Sequence, residues 1–209
     1  VLATSGASLD GAEHLVVDGG DTTVQGAADI QSLSGIYDAS GSSYTVSDTA
    51  GAILSDTSAV IDEGVSTINV NGAVGAGVGV QLGQFEDASF ETGYSADVNF
   101  NVVDDANDIT AALSGDTTDA MDNAASLVVS GGTATVTEAS DIQGVAGYDS
   151  GASFYTIEDS SGAVLGATTD ILTNDGVNEV NVSNVVGADI GASLDELESA
   201  LNPEPKMLF

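Results

Sequence analysis

The side chains able to do chemistry in this chain are almost all carboxylates. Its 209 residues include 33 Asp and Glu, one Lys or Arg, one His and no Cys. Nucleophilic triads and transition-metal hydrolase centres need histidine or cysteine at several positions, and His14 stands alone near the start. Paired carboxylates can act as general acid and base, but among so many acids a pair carries no information. Ala73-Val-Gly-Ala-Gly-Val-Gly79 has the glycines of a phosphate-cradling loop without the strand-to-helix spacing such a loop needs. The residues do not read as an enzyme.

What they do permit is binding of a hard divalent cation, calcium above all, which takes several oxygen ligands from carboxylates, carboxamides and backbone carbonyls. Asp18-Gly-Gly-Asp21 is the most loop-like cluster, its glycines letting the backbone curl towards an ion. Its repeat counterpart, Ser130-Gly-Gly-Thr133, lacks both carboxylates, so a site there would exist in one copy. Asp104 and Asp105 with Asp108 form a denser patch, as do Asp116, Asp119 and Asp122. A competing structural reading explains part of this pattern. Asp48, Asp104 and Asp159 recur at one repeat position where a helix needs an N-cap.

The elements that must position these groups come from a repeat. Leu15-Val-Val-Asp-Gly-Gly-Asp-Thr-Thr-Val returns as Leu127-Val-Val-Ser-Gly-Gly-Thr-Ala-Thr-Val, at an offset of 112 residues. Tyr44-Thr-Val-Ser-Asp returns as Tyr155-Thr-Ile-Glu-Asp at 111, and Ile68-Asn-Val as Val180-Asn-Val at 112. A halved copy starts at Phe100, 56 residues after Tyr44. Short β-branched runs mark the strands: Leu15–Val17, Tyr44–Val46, Ile68–Val70, Val98–Val102, Leu127–Val129, Tyr155–Ile157 and Val180–Val182. They recur every 24 to 32 residues or so, the spacing of solenoid coils.

Helical spacing follows several runs. Ile53, Leu54, Val60 and Ile61 come after an N-cap at Asp48-Thr49, and Val164, Leu165, Ile171 and Leu172 repeat them. Ala27, Ile30 and Leu33 return as Ala139, Ile142 and Val145, and Ile190, Leu194, Leu197 and Leu201 precede a stop at Pro203. Strand then helix, about seven times, predicts an α/β repeat: a short parallel-strand solenoid of leucine-rich-repeat-like coils, with a β-solenoid as the alternative. The organisation divides into repeat block one (1–76), an irregular insertion or junction (77–97), repeat block two (98–202) and a tail (203–209). The junction holds Phe85, Phe90 and Tyr94, read as core filling or as an assembly surface. The tail ends in Met207, Leu208 and Phe209, read as a loose linker or as a strap onto a neighbouring subunit. Asn69 and Asn181 hold equivalent strand positions, where stacked carboxamides can form a ladder.

A net charge of −32 excludes phosphate-neutralising contact with nucleic acid or anionic membranes. Self-repulsion on that scale fits brine, seawater or a calcium-rich medium, where cations screen or bridge the carboxylates. A mean hydropathy of +0.18 and the regular Val/Ile/Leu pattern separate the chain from disordered acidic sequences. No stretch has the apolar length that spans a bilayer. The start at Val1, in mid-repeat, reads as a processed or excised product.

The unit Tyr-Thr-[Val/Ile]-x-Asp-[Thr/Ser]-[Ala/Ser]-Gly-Ala-[Ile/Val]-Leu, followed by an Ile-Asn-Val-like strand, resembles repeats of large secreted bacterial surface proteins, the type I-secreted adhesins and surface-layer-like proteins. The resemblance covers most of residues 15–190, and the nonapeptide Gly-Gly-x-Gly-x-Asp of that group is absent. It implies a place outside the cell, at or beyond the surface, and a structural or adhesive role with calcium as stabilising ion. The expectation is a subunit whose only necessary partner is itself, stacked head to tail into a filament, layer or matrix fibre. The alternative is an adhesin stalk or a module that binds ice, glycan or a cell surface.

Overall fold

A computed structural model describes residues 12–91, 96–184, 186–201 and 206–208, with backbone alone at 90, 91, 206 and 207. Among the described residues eight strands alternate with helices, which places the chain in the α/β class with parallel strands. It divides into two compact units, Val1–Ala73 with Gln81–Asn101, and Val74–Val80 with Val102–Phe209.

In the first unit β1 (Asp18–Thr22), β2 (Ser43–Asp48) and β3 (Val65–Val74) pair in sequence order, each parallel to the next. Helix α1 (Val24–Gln31) joins β1 to β2, and α2 (Ala50–Ser55) and α3 (Thr57–Val60) join β2 to β3. Helix α4 (Ala76–Glu91) and strand β4 (Asp97–Asp104) follow, each shared between the units. The second unit continues with α5 (Ala106–Gly115), a 3-10 turn at Ala120–Asn123, β5 (Ser126–Ala134), α6 (Val136–Gly144), β6 (Phe154–Asp159), α7 (Ser161–Gly166), α8 (Thr169–Leu172), β7 (Val177–Val182), α9 (Ala188–Leu201) and β8 (Lys206–Leu208). Here β5, β6, β7 and β8 pair in sequence order, again parallel.

The repeat is exact in register. Asp18 pairs Ser43 and Asp21 pairs Thr45, three residues facing two across a bulge; Ser130 with Phe154 and Thr133 with Thr156 reproduce it. Gly19 and Gly20 in one copy, and Gly131 and Gly132 in the other, have positive φ, which a side chain would resist. The copy without carboxylates keeps the bulge, so backbone geometry alone accounts for the glycine pair. One strand is displaced from its apolar run. The run Leu15–Val17 lies ahead of β1, with Leu15 in an isolated bridge to Tyr37.

The other six runs all fall inside strands, and each strand hides one face. Tyr44 and Val46, Val65, Ile68 and Val70, Val98, Phe100 and Val102, Leu127 and Val129, and Tyr155 and Ile157 are buried. Residues between them remain half-buried or exposed, including Thr45, Ser47, Thr67, Asn69 and Thr156. That period-two pattern is what a sheet covered on one face produces. The covering stripe comes from Ile30, Ile53, Ile109, Ile142, Val164, Leu172 and Leu194 on the helices. Each such buried aliphatic residue contributes about 1.5–3 kcal/mol. Helices rather than further strands follow the strands, so the three-sided β-solenoid held as the alternative does not describe these units. The segment 77–97, read as an insertion or junction, carries most of α4, 16 residues long.

Candidate functional site

The strand ends hold the most organised carboxylates. Asp48, Asp104 and Asp159 sit at the last position of β2, β4 and β6, one residue before the helix caps expected of them. The N-caps are Thr49, Asp105 and Ser160, whose side chains accept from the third N–H of α2, α5 and α7. The strand-end carboxylate does a different job. One oxygen of Asp159 accepts from the backbone N–H of Ser160 at 2.7 Å, and the other from Val136, the first residue of the preceding α6, at 3.1 Å. Asp48 joins Thr49 at 2.8 Å to Val24 of α1 at 3.1 Å. Asp104 joins Asp105 at 3.0 Å to Ala76 of α4 at 2.9 Å. Asn184 takes the same post for α7, accepting from Ser161 at 2.7 Å. Each clasps two successive strand–helix units by satisfying helix N–H groups that have no partner within their own helix, at the end where the helix dipole favours negative charge.

Around one of these clasps three of the expected candidate carboxylates come together. Asp104, Asp105 and Asp108 each bring one oxygen within 4.8 Å of the others, and this is the one such acidic group among the described residues. Asp108 is exposed, while Asp104 and Asp105 are half-buried. The protein itself already engages the trio, because Asp105 accepts from the N–H of Asp108 at 3.0 Å while Asp104 clasps Ala76. Asp18 and Asp21 lie in β1 on either side of the bulge and belong to no comparable group among the described residues.

The third acidic patch borders a cavity of about 430 Å³ between α5, the 3-10 turn and α6, lined by Asp116, Asp119, Asp122, Glu138 and Asp141 beside Leu113, Met121 and Val145. Here too the carboxylates act on backbone. Asp116 accepts from Met121 at 2.9 Å and Thr118 at 3.1 Å, Asp122 from Ala146 at 3.0 Å, and Glu138 closes the α6 capping box onto Thr135 at 2.7 Å. Burial pushes the Asp116 carboxyl up, and the N–H groups of Met121, Thr118 and Ala120 outweigh it, holding it below the usual range.

Sequence reasoning missed a second set of clamps that recur in both copies. Gln31 donates to the carbonyl of Ala59 at 2.8 Å, and its equivalent Gln143 to Ile171 at 3.1 Å and to the Tyr155 hydroxyl at 2.7 Å. The Ser42 hydroxyl accepts from Val17 and donates to the Asp38 carbonyl; Ser153 does the same with Val129 and Asp149. Tyr37 donates to Asp62, and Tyr148 to Asn174. Burial pushes the phenols of Tyr37 and Tyr148 well above their ordinary value, with the hydrogen bond to Asp62 adding at Tyr37 and the neighbouring Tyr155 adding at Tyr148. The available signal was the same 111 to 112 offset read at polar positions, which the apolar pattern overshadowed.

Of the residues expected to assemble subunits, Phe85 lies half-buried on α4 and Leu208 is 42% exposed on β8. The side chains of Phe90 and Met207, together with Tyr94 and Phe209, lie outside the described residues. The carboxamide ladder exists at one step, where Asn99 donates to Asn69 at 3.2 Å. His14 is exposed. No helix among the described residues is long and apolar enough to cross a membrane. Comparison with protein-family models, with curated proteins and with solved structures finds no match for this chain.

Proposed function

We propose that this chain is an extracellular structural subunit that self-assembles into a filament, surface layer or matrix fibre. Its coils are those of a short leucine-rich-repeat-like solenoid. The observation that carries the reading is the clasp: polar side chains with the geometry to act on a neighbour are turned onto the adjacent coil of the same chain. Asp48, Asp104, Asp159 and Asn184 hold helix starts, while Gln31 and Gln143 hold loop carbonyls. Units that complete one another in this way can equally be completed by a unit of another copy, and a head-to-tail contact that does not close forms a filament.

Cations make such assembly workable. Copies carrying −32 repel one another until ions screen or bridge them, and Asp104, Asp105 and Asp108 are the candidate calcium ligands. Electron microscopy of the purified chain across concentrations, with calcium and again with chelator, tests the reading. Ordered filaments or sheets that dissolve on chelation are the expected result, and monodisperse particles throughout would refute it.

A second reading, an adhesin module acting as a monomer, draws on the open sheet face. Thr45 stands beside Thr67, and Thr133 beside Thr156, in rows of small polar groups at the spacing of parallel strands. Such rows suit a repetitive surface such as ice or glycan. Retention of the monomer on those surfaces, without polymerisation, would favour it.

A further inference from the structure

The cavity between α5, the 3-10 turn and α6 has an apolar floor and a rim of hydrogen-bond acceptors. Met121 and Val145 are buried and Leu113 is half-buried, while Asp119, Asp122 and Asp141 are exposed around the opening. Thr110 and Ser114 spend their hydroxyls on carbonyls of their own helix, which leaves Ser140 as the one lining side chain with an uncommitted donor. At about 430 Å³ the space has the size of a small-molecule site. Asp116, Asp122 and Glu138 hold backbone N–H groups, whereas the side chains of Asp119 and Asp141 have no hydrogen-bond partner among the described residues.

This arrangement departs from the repeat. Helix α6 matches α1 at an offset of 112 residues, which makes Asp141 the counterpart of Asp29. In α1 Gln25 donates to Asp29 at 2.9 Å. In α6 Thr137 stands where Gln25 would be and Glu138 where Gly26 would be, so Asp141 has lost its partner and the helix has gained an acid. A metal ion does not fit the set. Asp104, Asp105 and Asp108 are the one group of three among the described residues whose oxygens lie within 4.8 Å of one another, so no three carboxylates of the cavity stand close enough to share an ion. A ligand that suits this lining is cationic and rich in N–H donors, long enough to span separated acids, and apolar between its charges.

We propose that the cavity binds a linear aliphatic polyamine, with ammonium groups on Asp119 and Asp141 and methylenes over Leu113, Met121 and Val145. An ammonium group brings three donors to acceptors that have none, and its alkyl stem covers apolar surface. Binding does not require self-assembly, since every lining residue belongs to one unit of one chain.

Calorimetric titration of the full chain with spermidine, at physiological salt, is the test. A chain of −32 gathers any polycation, so each comparison holds charge fixed. Hexaamminecobalt(III) has the triple charge of spermidine without its methylenes, and Asp29→Asn removes the same charge as Asp141→Asn from the equivalent place on α1. The expected result is saturable binding of one spermidine per chain, which hexaamminecobalt(III) does not match. D141N should weaken it several-fold, as should Asp119→Asn, whose carboxamide tolerates the same left-handed backbone, while D29N leaves it unchanged. A urea midpoint unaltered in D141N separates this loss from a folding defect. Equal binding of the two cations, or equal losses in D141N and D29N, would reduce the effect to bulk charge and overturn the site. Trilysine that binds more tightly than spermidine, with the same dependence on Asp141, would overturn the free polyamine and make a lysine-bearing partner the occupant.

Discussion

Replacing Asp159 with alanine removes one clasp and nothing else of size. Two backbone donors lose their acceptor. The Ser160 N–H is exposed and water can satisfy it, so its loss lies near the low end of a capping interaction, about 0.5 kcal/mol. The Val136 N–H is partly buried, where the loss approaches about 2 kcal/mol. Asp159→Ala should therefore destabilise by about 2.5 kcal/mol, read as a lower urea midpoint with an unchanged slope. Asp159→Asn separates hydrogen bonding from charge. A carboxamide keeps one acceptor, as Asn184 shows at Ser161, where its amide also reaches the Ser161 hydroxyl at 3.3 Å. Val136 offers no such hydroxyl, so D159N should lose roughly half as much as D159A. A D159N variant as unstable as D159A would mean that the carboxylate acts through its charge. A D159A variant within about 0.5 kcal/mol of the parent would mean that the clasp does not hold the two strand–helix units together.

Three further outcomes are expected. If calcium binds at the Asp104 cluster, calcium at about 100 times its Kd raises stability by about 2.7 kcal/mol, and Asp108→Asn, at an exposed position, abolishes that rise without altering the metal-free midpoint. Burial, with Asp97 and Asp87 nearby, pushes the Glu86 carboxyl up despite the Val98 N–H, and one of its oxygens is buried without a partner. A carboxyl raised on folding favours the folded state below its unfolded pKa and loses that advantage as pH rises through the folded one. Glu86→Gln should thus be more stable than the parent at neutral pH, with the gain shrinking on acidification; a gain that does not vary with pH would refute the assignment. Gly176→Ala places a methyl on the Tyr148 hydroxyl and 3.0 Å from the Ser153 Cβ, and should cost about 1–3 kcal/mol in thermal unfolding, whereas Gly162→Ala, in open space, should not destabilise.

The sequence alone determined the elements. Six of seven β-branched runs became strands, because alternation and β-branching are local and each strand buries one face. The helical segments after Thr23, Thr49, Thr135 and Ser160 were likewise legible from their apolar stripes, while the caps expected at Asp104 and Asp159 fell one residue later, on Asp105 and Ser160. The first strand begins at Asp18, beyond its apolar run, whereas the equivalent run Leu127–Val129 lies inside β5 ahead of the same glycine bulge.

Only the tertiary structure decided what the polar residues touch. Asp159 is 23 residues from Val136, Gln143 is 28 from Ile171, and Tyr148 is 26 from Asn174. No local propensity encodes which helix start a strand-end carboxylate will meet, because that depends on the lateral register of neighbouring strands. The same holds for β8, whose residues carry no strand signal of their own and become a strand because the β7 edge offers unpaired backbone groups at that register.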